Sequence, residues 1–216
     1  DLITPGNDFL ADYARQFNNN ICIIPTTIDT EEYKPSSKTK HDHSVCIGWS
    51  GSFSTIEHFK YSLPVLEKIK EKYGDKVYFK VIGDGNYMHP DLNIQGIAWQ
   101  KEGEVEELNE FDIGIMPLMQ TEWEKGKCGL KGLQYMALEI PTIVAPVGVN
   151  IDIIKDGENG MLANTQGEWI NKLSQLIESE ELRKNIGKAS RQTVIDHYSV
   201  ENQKDVYLEM FEGLLK

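Results

Sequence analysis

No run of about 18 apolar residues occurs in the chain, so no segment reads as a membrane-spanning helix. Basic residues are scarce: 22 Lys and Arg stand against 34 Asp and Glu, a net charge of −12. A phosphate backbone is bound by clustered cations, so this balance argues against a nucleic-acid partner. The three cysteines, Cys22, Cys46 and Cys128, form no CxxC pair. Cys22 and Cys46 sit in apolar runs and read as reduced core thiols of a cytoplasmic protein. Neither GxGxxG nor GxxxxGK[ST] is present, which removes the usual dinucleotide and P-loop fingerprints. No Asp-x-Asp occurs, and no Ser/His/Asp set is placed by motif. His41-Asp42-His43 is the one metal-like cluster, yet it lies in a polar stretch without further ligands and reads as solvated loop. No resident metal or cofactor is expected. The chain opens on a strand-like Asp1-Leu2-Ile3-Thr4 with no Met, as though entered mid-fold, so missing targeting signals carry little weight.

What is present suits one α/β domain: 216 residues, 40% apolar. A helix is expected over 7–17 and a strand over 21–24, stopped by Pro25. Residues 35–43, PSSKTKHDH, read as a linker. Strands then alternate with helices. Strand 45–49 is followed by helix 55–73, with Ser54 and Glu57 as its capping box. Strand 77–82, a short strand at 94–97 and helix 103–109 come next. Strand 112–116, helix 127–138 and strand 142–145 follow. Helices are expected near 151 and over 167–178, 181–197 and 200–215. Short apolar strands alternating with helices imply a doubly wound parallel sheet, Rossmann-like, with helices on both faces. Its ligand belongs outside the carboxyl ends of the strands.

The segment 126–150, GKCGLKGLQYMALEIPTIVAPVGVN, carries the most chemistry. On a helix, Lys127, Lys131 and Gln134 fall within an arc of roughly 60°, beside an apolar arc of Leu130, Leu133 and Ala137. Two ammonium groups near a helix N-terminus suit a diphosphate, and a Gln one turn on suits a ribose diol. The alternative is a solvated polar face. Gly51 and Ser52, in the turn Gly48-Trp49-Ser50-Gly51-Ser52, permit close approach of backbone N–H groups to phosphate; the alternative is a tight turn without a ligand. Gly148, Val149 and Asn150 offer N–H groups before the next helix, or simply a turn. Trp99 and Gln100 follow the short third strand, where Trp99 also reads as a packing residue.

These segments resemble the C-terminal, donor-binding domain of GT-B fold glycosyltransferases of family 4, the glycosyl transferases group 1. The family's signature helix reads Glu, seven residues, Glu, then a small apolar run and Gly-x-Pro. Aligning Met136-Ala137 and Pro141 puts Gln134 at the second Glu, the ribose contact, and Gly126 at the first, the sugar contact; Glu139 replaces the Gly. A branch reading Gly-Lys-Cys, Lys, then Gln-Tyr-Met-Ala matches more fully. The resemblance extends to Asn7-Asp-Phe-Leu-Ala, Ile24-Pro-Thr-Thr-Ile-Asp29, Asp156-Gly157-x-Asn159-Gly160-Met161-Leu162 and Tyr198-Ser199. The family's Arg and Lys after the first strand are absent, so Lys131 is expected to be the main electrostatic contact to the diphosphate.

The resemblance implies residues 1–34 as a remnant of an N-terminal acceptor domain, with residues 1 to about 24 loosely held and some of their apolar surface bare, and 35–44 as linker. It implies 45–198 as the nucleotide-sugar-binding domain and 199–216 as a helix crossing back. It implies retaining, metal-independent transfer from a nucleotide diphosphate sugar to a glycan or other hydroxyl, as in cell-envelope polysaccharide synthesis. The fragment alone is then inactive, and any peripheral membrane contact runs through the missing domain. A non-catalytic nucleotide-sugar-binding module and a GT-B sugar-nucleotide epimerase are the alternatives.

Overall fold

A computed structural model describes residues 1–36 and 44–215. Most of the expected linker, with His41-Asp42-His43, lies outside the described residues.

The centre is a six-stranded parallel sheet. Its strands are β1 (Val45–Ser50), β2 (Val77–Gly83), β5 (Ile97–Ala98), β6 (Ile113–Met116), β7 (Thr142–Val144) and β8 (Met161–Leu162), in the order β5-β2-β1-β6-β7-β8. From β1 the chain builds outward through β2 and β5, then returns to add β6, β7 and β8 on the other side. The strand order therefore reverses between β1 and β6. A small antiparallel pair, β3 (Met88–His89) and β4 (Ile94–Gln95), sits beside it.

Every residue of β1 and β6 is buried, as a strand covered on both faces requires. Alternate residues of β1 serve opposite faces. Trp49 stacks at 5.6 Å on Phe59 of α2 (Ile56–Tyr61), near α3 (Leu63–Tyr73), whose Val65, Leu66 and Ile69 are buried. On the other face a Cβ at Gly48 would lie 2.1 Å from the Phe111 ring, and one at Gly114 2.5 Å from the Tyr135 ring. Those two aromatics fill the space that any side chain in register at Gly48 and Gly114 would need. The cover on this face includes α4 (Glu104–Leu108), whose Leu108 clusters with Phe111 and Tyr135. Further helices are α1 (Asp8–Ala14), α5 (Glu122–Lys125), α6 (Leu130–Ala137), α7 (Asn150–Ile153), α8 (Gln166–Glu178), α9 (Glu180–Thr193) and α10 (Val200–Leu214). A π-helical turn, Val194–Tyr198, joins the last two.

Several local expectations differ from the structure. The helix expected from 127 begins only at Leu130, because Gly129 at φ 72° interrupts it, and Lys127 belongs to the loop after α5. The 55–73 helix is divided at Ser62, where Pro64 has no N–H to continue the ladder. Its Ser54/Glu57 box is replaced by Ser52, whose N–H donates to Thr55 Oγ1 at 2.9 Å ahead of a 3-10 turn. The 21–24 strand reduces to one parallel bridge between Ile3 and Ile21. The strand at 94–97 is two short ones around Gly96, in different sheets. α6 closes with Ile140 N–H donating to Tyr135 O at 3.0 Å over Glu139, which takes φ 58°, where glycine is usual.

The first 34 residues lie outside the main sheet, and residues 28–33 are held against the rest of the domain. Ile28 is in the core and bridges Ser199. Arg191 of α9 donates to the carbonyls of Thr30 (3.2 Å), Tyr33 (2.8 Å) and Ala137. Phe9, Tyr13 and Phe17 remain exposed, as the sequence led one to expect of this segment.

Candidate functional site

A cavity of about 430 Å3 opens beyond the carboxyl ends of β1 and β6, at the reversal of strand order. That is where open α/β sheets hold ligands, and the volume suits a small molecule. One wall is the end of β1 and its turn, Trp49 to Ser52; Gly51 N–H is tied to Ile82 O at 2.9 Å. Met116, Pro117 and Leu118 follow from β6, and 127–131 close the far side with Trp99 at the edge.

Of the residues singled out from the sequence, Gly51, Ser52, Trp99, Lys127 and Lys131 line this cavity together. Lys127 has no carboxylate partner among the described residues within 4.0 Å. Its loop is pinned from the N-terminal segment. Buried Asn7 caps α1 through Leu10 N–H at 2.8 Å and donates from Nδ2 to the carbonyls of Lys125 (3.3 Å) and Lys127 (3.2 Å). Gly6 leaves room for Cys128, whose Sγ would lie 2.5 Å from an added Cβ. Burial pushes the Cys128 thiol above its ordinary pKa, despite a hydrogen bond with Thr26.

Lys131 is on α6, but it does not stand alone. Its Nζ lies 3.3 Å from Glu104 Oε1, and the same carboxylate accepts from Trp99 Nε1 (2.9 Å) and Tyr33 OH (2.7 Å). Burial pushes the Glu104 carboxyl up, but the hydrogen bonds from Tyr33 and Trp99 and the Lys131 charge outweigh it and hold it below its ordinary value. Gln134 is 5% exposed, is absent from the cavity wall, and donates to Tyr33 OH at 2.6 Å, while its Oε1 is buried without a partner. The shared arc of Lys127, Lys131 and Gln134 therefore does not form: one residue precedes the helix and another turns inward to Tyr33. Leu130, expected toward the sheet, lines the cavity half-exposed.

The 148–150 turn is not part of the lining either. An added Cβ at Gly148, at φ 55°, would lie 2.8 Å from Lys125 O. Asn150 is buried, with Nδ2 donating to Ala145 O at 2.9 Å, and Val149 sits behind Gly129. This turn supports the lysine loop from outside. Gln100 is exposed and also off the wall.

Four groups escaped the sequence reading: His58 on the cavity wall, Glu124 near it, and Glu104 and Tyr33 around Lys131. Nothing local marks them, since each acquires its neighbour from a distant element. Among the described residues no three His, Cys, Asp or Glu side chains are grouped as a metal site.

A family model described as glycosyl transferases group 1 matches residues 44–179. The chain belongs to that family. Among similar curated proteins is the N-acetyl-alpha-D-glucosaminyl L-malate synthase of Bacillus anthracis, 29% identical over 107 residues, 48% of this chain and 28% of that protein. A glycosyltransferase from Rickettsia africae superposes with a TM-score of 0.79 at 16% identity, covering 100% of this chain and 64% of that one. Anabaena Alr3699/HepE, solved with UDP and glucose, gives a TM-score of 0.76 at 13% identity over 97% of this chain and 62% of its own. The chain thus spans less than two thirds of these relatives' lengths, and at such identities the structures establish the shared fold. No helix among the described residues is long and apolar enough to cross a membrane.

Proposed function

We propose that this chain is the donor-binding half of a glycosyltransferase, holding a nucleotide diphosphate sugar in the cavity between β1 and β6. The observation that carries the reading is Lys127: an ammonium without a carboxylate partner among the described residues, on the wall of a cavity at the switch point of a group 1 glycosyltransferase fold. The Gly51–Ser52 turn and Lys131 accompany it. Transfer to a glycan or other hydroxyl requires departure of the nucleotide diphosphate, and fixed cations stabilise the charge that develops there. Retention at the anomeric carbon and independence of a metal belong to this proposal. The lack of Asp-x-Asp and the two lysines support the latter. The acceptor is held by a second domain, for which the partial coverage of the relatives leaves room.

The relative complexed with UDP makes a uridine diphosphate sugar the first probe. Calorimetric titration of UDP, GDP, ADP and TDP sugars should find one that binds. Lys127→Met should then weaken it about tenfold to a hundredfold, the cost of a charge-assisted hydrogen bond. Lys131→Met should cost less, because Glu104 already shares its charge. Parent-like binding by folded Lys127→Met sinks the assignment of the diphosphate to this wall.

A non-catalytic binding module is the second reading, favoured by Gly126 where the resembled helix carries its sugar-contacting Glu. Transfer assays on the protein containing both domains separate the two.

A further inference from the structure

Resting on the donor-site reading, we propose that a groove beside the donor cavity binds an uncharged saccharide and takes the units of an acceptor glycan behind its reacting end. Two adjoining hollows of about 190 and 320 Å3 form it, both bordered by Tyr61, Pro117, Asn164 and Trp169. Pro117 also lines the donor cavity, and Leu118 lines both that cavity and the larger hollow. The chain from Thr55 through α2 runs past both sites. Thr55 and His58 line the cavity, and Tyr61 and Ser62, about one turn on, line the groove. The segments after β6 and β8 supply the other side, so the groove lies at the same carboxyl end of the sheet as the donor cavity.

The lining selects for a neutral, hydroxyl-rich ligand. Among the described residues no charged side chain borders either hollow, in a chain of which 26% is charged. A charged ligand would lose hydration there without a counter-charge, whereas a neutral one loses far less. In place of charge the groove has three amides, Gln120, Asn164 and Gln166. Gln120 Nε2 donates to Asn164 Oδ1, which leaves Gln120 Oε1 as an acceptor and Asn164 Nδ2 as a donor side by side. Neighbouring sugar hydroxyls both give and take hydrogen bonds and match such a pair. Tyr61, 60% exposed, offers a bare aromatic face for the C–H side of a sugar ring. Trp169 points to a ligand independently. It is 6% exposed and borders both hollows, yet its indole N–H has no hydrogen-bond partner among the described residues. A buried tryptophan N–H usually has one. The nitrogen is not sealed from solvent, and a sugar hydroxyl in the groove supplies the missing acceptor.

The test is saturation-transfer NMR on the 216-residue chain with maltotriose, mannotriose and chitotriose, and with trigalacturonate as the charged counterpart. Each is measured with and without a saturating nucleotide sugar that binds by calorimetry, UDP-glucose first. At least one neutral trisaccharide should bind, trigalacturonate should not, and the nucleotide sugar should leave that binding in place. Tyr61→Ala, at an exposed position, should weaken it roughly fivefold. Trp169→Phe keeps a ring in the core without the N–H, and should weaken it about threefold to tenfold. Neither residue lines the donor cavity, so both variants should bind the nucleotide sugar within about twofold of the parent. If a melting curve shows that Trp169→Phe does not fold, Tyr61→Ala decides alone. Three results overturn this proposal and leave the donor-site reading intact: no neutral trisaccharide bound, parent-like binding by folded Tyr61→Ala, or trigalacturonate bound as well as the neutral chains. Displacement of the trisaccharide by the nucleotide sugar does the same. Trisaccharide binding that Tyr61→Ala weakens, with no nucleotide sugar bound at all, overturns the donor-site reading and with it the acceptor role of the groove.

Discussion

α6 and α10 are both helices with apolar stripes, and they end in opposite situations. Six of the eight residues of α6 are buried, and its polar side chains are occupied as well. Lys131 meets Glu104, Gln134 meets Tyr33, and Tyr135 OH is 2.7 Å from Ser50 N–H and 2.8 Å from Ser50 Oγ. None of the fifteen residues of α10 is buried, and Leu208, Phe211, Leu214 and Leu215 are exposed. The difference comes from the neighbours. α6 lies on β6 and β7, where Gly114 gives the Tyr135 ring its place, whereas α10 packs mainly on the π-helical turn before it. An amphipathic stripe states that a helix has a face to bury, and only the adjoining strands decide whether this chain buries it.

The contact beneath α6 should be the most sensitive. Gly114→Val places a branched side chain where the Tyr135 ring sits, in a space with no outlet. The expected cost is about 3 kcal/mol of stability, read by urea unfolding. A near-neutral result would show that α6 is not locked by that ring.

The polar anchor of α6 comes next. Glu104→Gln keeps the shape of the side chain and removes the charge facing Lys131, at a cost of about 1.5 kcal/mol at pH 7. Glu104 has its folded pKa held below the ordinary carboxylate value. Its contribution is therefore complete above the unfolded value of roughly 4.3 and disappears as pH falls through the folded one. The stability gap between wild type and variant should close on acidification, and a gap independent of pH would remove charge from the account.

The exposed face of α10 should respond least. Phe211→Ser in this chain should change stability by less than about 0.5 kcal/mol, since the ring is 56% exposed. A thermal melt showing a much larger loss would mean that the face is already covered, and the comparison of the two helices would fail.

The sheet was legible because its strands are short, apolar and separated by helical periods, from Val45 to Val144. The cavity's place followed, since the carboxyl ends of parallel strands are where loops are free to hold a ligand. Lys127, Lys131, Gly51 and Trp99 were found that way. Lys127 was assigned to a helix that begins only at Leu130, Gln134 turns inward to Tyr33, and the 148–150 turn was chosen for its place between a strand and a helix. Gly129 in a left-handed conformation delays the start of that helix, and spacing alone does not reveal it.

By itself, the sequence determined the doubly wound parallel fold, the end of the sheet that carries the cavity, and the lysine-bearing segment beside it, because these rest on hydrophobic period and strand order. The tertiary structure alone decided which lysine is paired and which polar residues surround them. Asn7 reaches 120 residues along the chain to hold Lys127 O, and Tyr33 reaches 71 to Glu104. Such contacts are made only when the strands bring distant segments within hydrogen-bond reach, and no local pattern of residues encodes them.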